Sequence, residues 1–320
     1  MNSRRKPLAF GFASAVVGAA LCLTPASASA LATGHSGSGR PALAQVGSLL
    51  YVAWTGTSGG SGSKQINLGY TQDGGKDMAK VVTTPVTPQN AGPALLGDGI
   101  GVDMAWADGN NADTLTIGYY PGSGNALTCV TAFPGDTTVH SPALTADQSG
   151  NEYLAWTNAS GAIEIGDLDT SACATGGSAT LTNVVTLDDS AASGPALVYD
   201  TTDAGLGVVV AWTQPGTEGT IGVGSFNGTS TLTNQTTVSS PVGSAYEVGL
   251  STSISDLYMT YTGTDGSIYL AYSEGCIPSC FNASSTGATG ASGVGMDSSP
   301  DTTTYYAYFD QTGQLNIDSF

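Results

Sequence analysis

Carboxylates are the most numerous ionisable groups in this sequence, with 25 Asp and Glu against seven Lys and Arg and two His. Six acidic residues merit weighing as reactive groups: Asp103, Glu152, Glu164, Asp167, Glu247 and Glu274. Two carboxyl groups at the right separation cleave glycosides, one as acid and one as base or nucleophile. Glu152 shares a strand face with Trp156, and Glu247 takes the place in its own repeat that Arg40 takes in the first. Spacing along the chain does not pair these groups, and most carboxylates are solvated or hydrogen-bonded. Nucleophilic hydrolysis needs a positioned imidazole. His35 lies in a Gly/Ser-rich N-terminal stretch, and His140 adjoins Ser141, where neighbouring strand residues point apart. No catalytic constellation is assembled, so the reading leans against an enzyme.

Metal sites fare no better. "DGNNAD" (Asp108 to Asp113) and "DLD" (Asp167, Asp169) bring oxygen ligands close together, but neither completes a calcium loop. The reading is no metal centre and no cofactor, with at most a weak structural calcium. Asp/Asn-rich turns explain both stretches.

The first 30 residues read as an export signal. "MNSRRKP" is basic, "LAFGFASAVVGAALCL" is apolar, and Ala28-Ser29-Ala30 is a small-residue cleavage site. The apolar run is too short and too diluted for a membrane span. Beyond it four basic residues face 25 acidic ones, a formal charge of −21. Such a surface repels nucleic acid and anionic lipid. The chain is therefore expected to be secreted and extracellular, without nucleic-acid partners or a membrane span, and monomeric. Four cysteines remain, Cys129, Cys173, Cys276 and Cys280. Two disulfides are expected in an exported chain. "CIPSC" favours a local Cys276–Cys280 bridge around Pro278, which leaves Cys129 with Cys173.

These residues must be held by something, and the sequence repeats. "LYVAWTGT" at Leu50 returns as "VDMAWADG", "EYLAWTNA", "VVVAWTQP", "LYMTYTGT" and "YYAYFDQT". The aromatic positions are Trp54, Trp106, Trp156, Trp212, Tyr261 and Tyr308, spaced 47 to 56 residues apart. A phrase beginning "PAL" precedes four of them and decays to "VGL" and "VGM" in the last two; a third phrase such as "INLGYT" follows. High β-propensity phrases bounded by Gly, Ser, Asn and Asp read as strands. With a less regular fourth strand, the pattern predicts a six-bladed β-propeller over residues 31–320, all-β, with blades starting near 41, 93, 142, 195, 248 and 294. Apolar residues on both faces of "LYVAW" suit a strand packed between two neighbouring blades. The small residue before each aromatic leaves room for one of them. The chain ends on a third strand, and "LATGHSGSG" has poor strand character. The last blade is therefore expected to be three-stranded.

"GRPALAQVGSLLYVAW" resembles the opening blade of sialidase-like six-bladed propellers, where an Arg-x-Pro phrase starts the innermost strand; here Arg40 adjoins Pro41 directly. The repeated phrasing is also similar to secreted bacterial propellers and some propeller lectins. The resemblance implies the fold from about Arg40 to Phe320. The sialidase activity it suggests requires three carboxylate-clamping arginines, and one arginine follows the signal segment. The family's Ser-x-Asp-x-Gly-x-Thr-Trp box is missing, "TGTDGSIYL" at Thr262 being nearest.

The functional expectation is a non-catalytic recognition propeller that binds a glycan or cell-surface polysaccharide. Its candidate ligand residues are Arg40, Trp54, Trp106, Trp156, Trp212, Glu247 and Tyr261, although the ring positions suit inter-blade core equally. A glycoside hydrolase using a carboxylate pair and a protein-interaction scaffold are the alternatives.

Overall fold

Each "PAL" phrase pairs antiparallel with the "AW" phrase that follows it, and each "AW" phrase with the "INLGYT"-like phrase after that. The computed structural model describes residues 31–57, 64–74, 77–84, 91–200, 205–216, 219–238, 242–253, 256–273, 281–298 and 303–320. Repeat one comprises β1 (Leu31–Val46), β2 (Leu49–Thr57), β3 (Lys64–Thr71) and β4 (Ala79–Thr84). Repeat two comprises β5 (Ala94–Gly97), β6 (Val102–Asp108), β7 (Thr114–Tyr120) and β8 (Thr128–Thr137). Repeat three comprises β9 (Ala143–Ala146), β10 (Glu152–Thr157), β11 (Ala162–Asp169) and β12 (Thr180–Ser190). Repeat four comprises β13 (Ala196–Tyr199), β14 (Val208–Thr213), β15 (Ile221–Phe226) and β16 (Thr233–Thr237). Repeat five comprises β17 (Gly249–Thr252), β18 (Leu257–Thr262), β19 (Ser267–Ser273) and β20 (Phe281–Thr289). Repeat six comprises β21 (Gly295–Ser298), β22 (Thr304–Phe309) and β23 (Gln314–Ser319).

Repeats two to five are separate four-stranded antiparallel sheets, while repeats six and one merge into a seven-stranded sheet through β1. The first strands touch in a closed cycle, β1 to β5, β9, β13, β17, β21 and back to β1. This is a propeller-type, all-β architecture. The cycle is tight. A Cβ at Gly92 would fall on the Arg40 carbonyl, and one at Gly194 on the Ser141 carbonyl, so only glycine allows neighbouring entry segments to approach so closely.

Strand alternation assigns the faces. In β6, Val102, Met104 and Trp106 pack with Tyr51 and Ala53 of repeat one, whereas Ala105 packs with Leu154 and Trp156 of repeat three. Each repeated aromatic thus reaches back to the preceding repeat, and Trp54 closes the series against Phe309, Leu315 and Ile317 of repeat six. The small residue beside it faces the next repeat. The Thr after the aromatic adds a latch. Thr55, Thr157, Thr213 and Thr262 donate their hydroxyls to the carbonyls of Ala91, Ser193, Tyr246 and Ser292, all in the entry segment of the following repeat, at 2.6–2.8 Å.

The last repeat corrects the expectation of three strands. The N-terminal half of β1 pairs with β23, Leu31 opposite Ile317 and Ser36 opposite Gln314, and the Thr33 hydroxyl donates to the Leu315 carbonyl. Its C-terminal half pairs with β2. An outer strand needs only backbone donors and acceptors that meet a partner's, so poor side-chain propensity does not prevent it. The ladder to β2 shifts register between Ser38 and Ala42, and Gly39 within that irregularity has φ 80°. Such a bulge re-aims the intervening side chain, and here that is Arg40.

The Cys129–Cys173 disulfide is present, joining β8 to the short 3-10 turn after β11 and so tying repeat two to repeat three. The second expected bridge, Cys276–Cys280, lies outside the described residues, as does the segment read as the export signal. No helix among the described residues is long and apolar enough to cross a membrane.

Candidate functional site: axial hub and inter-repeat clefts

Arg40 and Glu247 meet at the axis of the ring. Arg40 is buried, and its guanidinium donates to the carbonyls of Pro142 (2.6 Å), Pro195 (2.9 Å) and Val248 (2.9 Å), the residues immediately before β9, β13 and β17. The bulge in β1 aims the side chain across the ring to three other repeats. Desolvation lowers its pKa, and the nearby Glu247 charge partly offsets that cost. Glu247 is buried as well. It accepts from the Ser141 backbone N–H (2.8 Å) and hydroxyl (2.7 Å), while Ser141 Oγ accepts from the Gly92 N–H (2.7 Å). One carboxylate therefore ties repeats two, three and five together. Among the described residues Arg40 is the single arginine, and its fork holds backbone carbonyls rather than a ligand carboxylate.

A cavity of about 360 Å³ opens above this network, lined by His140, Ser193, Tyr246, Glu247 and Ser292 among others. Glu247 is the one expected ligand residue on its wall. His140 lies on the same wall, but the Ser141 hydroxyl beside it is committed to Glu247.

The repeated rings are not on a rim. Trp54, Trp106, Trp156, Trp212 and Tyr261 are all buried between sheets. Inter-repeat packing encloses these rings, the core placement that suits the same positions.

Two larger clefts open between repeats two and three and between repeats three and four, each of about 690 Å³. They share Tyr153 and Asp167, so they adjoin. The first carries Asp98, Tyr119, Glu152, Asp169 and Thr170; the second carries Asn183, Tyr199, Phe226 and Asn227. The turns between first and second strands, and the ends of third strands, form these walls. They therefore lie at the opposite ends of the strands from the hub.

The first cleft is electrostatically unusual. Asp103 stands fully buried behind Glu152, and burial followed by the charges of Glu152 and Asp98 pushes its pKa up to about 8. Burial also raises Glu152, against the hydrogen bond it accepts from the Thr170 hydroxyl at 2.9 Å. Burial presses Asp98 upward too, but hydrogen bonds from the Gly101 and Ile100 N–H groups and the Tyr119 hydroxyl leave it lowered. Burial, then its bond to Asp98, pushes Tyr119 up to about 12. The carboxylates weighed for calcium accept hydrogen bonds from nearby residues. Asp108 accepts from the Asn110 N–H, Asp169 from the Ser171 N–H, and Asp167 from the Asn183 amide. No group of three His, Cys, Asp or Glu among the described residues is arranged to hold a metal ion.

Sequence reasoning weighed Asp103, Glu152 and Asp167 singly and passed over Tyr119, Tyr153, Tyr199 and Phe226. The available signal was positional. Aligned on the repeated aromatic, Asp103 and Glu152 replace residues that are apolar or aromatic in most other copies.

No protein-family model matches this sequence, and neither does any curated protein. Solved structures do share the fold. The SapL1 lectin in complex with alpha methyl fucoside aligns with a TM-score of 0.60 at 13% identity, over 90% of this chain and 94% of that one. AofleA from Arthrobotrys oligospora aligns with a TM-score of 0.59 at 9% identity, over 90% and 84%. A GH43_1 enzyme from Xanthomonas citri aligns with a TM-score of 0.50 at 11% identity, over 92% and 90%. At these identities the likeness is one of fold.

Proposed function

We propose that this chain is a secreted, monomeric, non-catalytic recognition protein whose six repeats are the blades of one propeller, and that it binds carbohydrate in the adjoining clefts of repeats two to four. The observation that carries the reading is the lining of those clefts. Tyr153, Tyr199 and Phe226 offer apolar faces beside Asp167, Asn183 and Asn227. Flat rings flanked by a few oriented polar groups suit a sugar, whose faces are apolar and whose rim is hydroxyl. The fold is one on which a lectin with a bound fucoside is also built. The closed cycle of first strands supports six blades, and the Cys129–Cys173 bridge suits an oxidising compartment.

A glycan array followed by titration calorimetry on the best ligands tests this. Tyr199→Ala is expected to weaken binding about tenfold or more, the loss of one stacked ring. Unchanged binding in that variant, or no ligand at all, refutes the reading. A hydrolase is the second reading, favoured by the electrostatically coupled carboxyl groups Asp103 and Glu152. Release of chromophore from aryl glycosides, abolished in Glu152→Gln, would establish it instead.

A further inference from the structure

Repeat proteins allow one interface to be compared with five others in the same chain. Three and four residues before each repeated aromatic, the second strands of adjacent repeats face one another. Tyr51 clusters with Val102, Val209 with Leu257, Tyr153 with Val208, and Tyr305 with Leu50. The interface of repeats five and six sets Tyr258 and Thr304 at these positions. Between repeats two and three they are Asp103 and Glu152. Two acids stand where the fold otherwise places apolar or uncharged side chains.

Asp103 is also unsatisfied. Asp103 is 1% exposed, and neither of its carboxyl oxygens has a hydrogen-bond partner. Thr170, whose hydroxyl lies near it, gives its single hydrogen to Glu152. A buried carboxyl without a donor costs free energy and serves no packing purpose. The groups around it are acidic or neutral on every side: Asp98 in the turn before β6, Tyr119 ending β7, Glu152 opening β10, and Asp169 and Thr170 after β11. Among the described residues no basic side chain lines the cleft in front of the pair.

We propose that this cleft binds a ligand carrying a primary ammonium group, with the cation seated against Glu152 on the cleft wall and held in the field of the buried Asp103 carboxyl behind it; on the carbohydrate-binding reading above, which this rests on, it selects a glycan bearing free amino sugars. An ammonium supplies three donors and no acceptor, the complement of a site made of carboxylate oxygens. Charge-assisted hydrogen bonds in a desolvated site are about twice as strong as neutral ones, so a sugar hydroxyl compensates the pair less well. Calcium requires six to eight converging oxygens, and among the described residues no group of three His, Cys, Asp or Glu is arranged to hold a metal ion. Because Asp103 holds a proton near neutral pH, seating a cation there releases one.

Calorimetry on the full secreted chain at about pH 6 decides the matter. Four probes are compared: the glucosamine tetramer, its N-acetylated counterpart, spermidine and calcium chloride. The expected result is that the glucosamine tetramer binds about tenfold or more tighter than the acetylated one. Proton release should show as a dependence of the heat on the ionisation enthalpy of the buffer. The isosteric double variant Asp103→Asn/Glu152→Gln should bind the two tetramers alike, and a cooperative urea unfolding transition shows independently that it is folded. Equal binding of both tetramers by the native chain overturns the ammonium site and leaves carbohydrate binding standing. Spermidine binding without either tetramer supports the ammonium site and removes the carbohydrate reading. Binding of calcium alone, a preference retained in the double variant, or no binding of any probe overturns the proposal.

Discussion

Replacing Asp103 by Asn should change how stability depends on pH. The Asp103 carboxyl is buried against Glu152 and Asp98, and its pKa rises from 3.8 to about 8. In the unfolded chain it titrates near its ordinary value. Below about pH 4 both states hold the proton, and the group is neutral to stability. Between about pH 4 and pH 8 the folded protein keeps a proton that the unfolded chain releases. The unfolded state then binds fewer protons, so stability falls as pH rises, by about 1.4 kcal/mol per pH unit. From about pH 5 to pH 7 the loss is roughly 2–3 kcal/mol. Asn does not titrate, so the variant should lose that much less over the same interval. Carboxylates with lowered pKa values, such as Asp98 and Asp310, do not interfere. Their contributions are present above the ordinary carboxylate range and are lost only below it. Urea unfolding of both proteins at the two pH values measures the double difference. A native protein and variant that lose equal stability between the two pH values, within about 0.5 kcal/mol, would refute a buried proton-holding Asp103.

Three further outcomes follow from the packing. Asp103→Val with Glu152→Leu copies the Val209–Leu257 interface and should stabilise the fold at neutral pH by about 1–4 kcal/mol in denaturant unfolding, as apolar replacement of buried charge often does. Trp156→Ala should cost about 3–5 kcal/mol in the same assay, because the ring is wholly enclosed by repeats two and three; a cost near zero would mean that the ring is not core. Replacing Cys129 and Cys173 by Ser opens a loop with a sequence separation of 44 residues, and the thermal midpoint should fall in keeping with a loss of about 2–5 kcal/mol.

The sequence by itself determined the strands and their faces. "LYVAW" and its copies alternate so that one side carries the large ring and the other a small residue, and period-two alternation is a local property of the chain. From that came the equivalence of the six aromatics and the all-β repeat architecture, whereas the side to which the rings pack was decided by the fold. The Cys129–Cys173 bridge was legible too, because the repeat register places both residues at the same end of neighbouring repeats. Tertiary structure decided what depends on segments distant in sequence. The strand Leu31–Ser36 exists because β23, at the far end of the sequence, presents backbone groups to it. Arg40 acts as a hub because the carbonyls of Pro142, Pro195 and Val248 converge on the axis only when the ring closes. Asp103 and Glu152 look like two ordinary surface acids in sequence. They become a pair, and Asp103 holds its proton near neutral pH, only because repeats two and three pack face to face. Desolvation and like-charge repulsion arise from that juxtaposition, and neither side chain carries them alone.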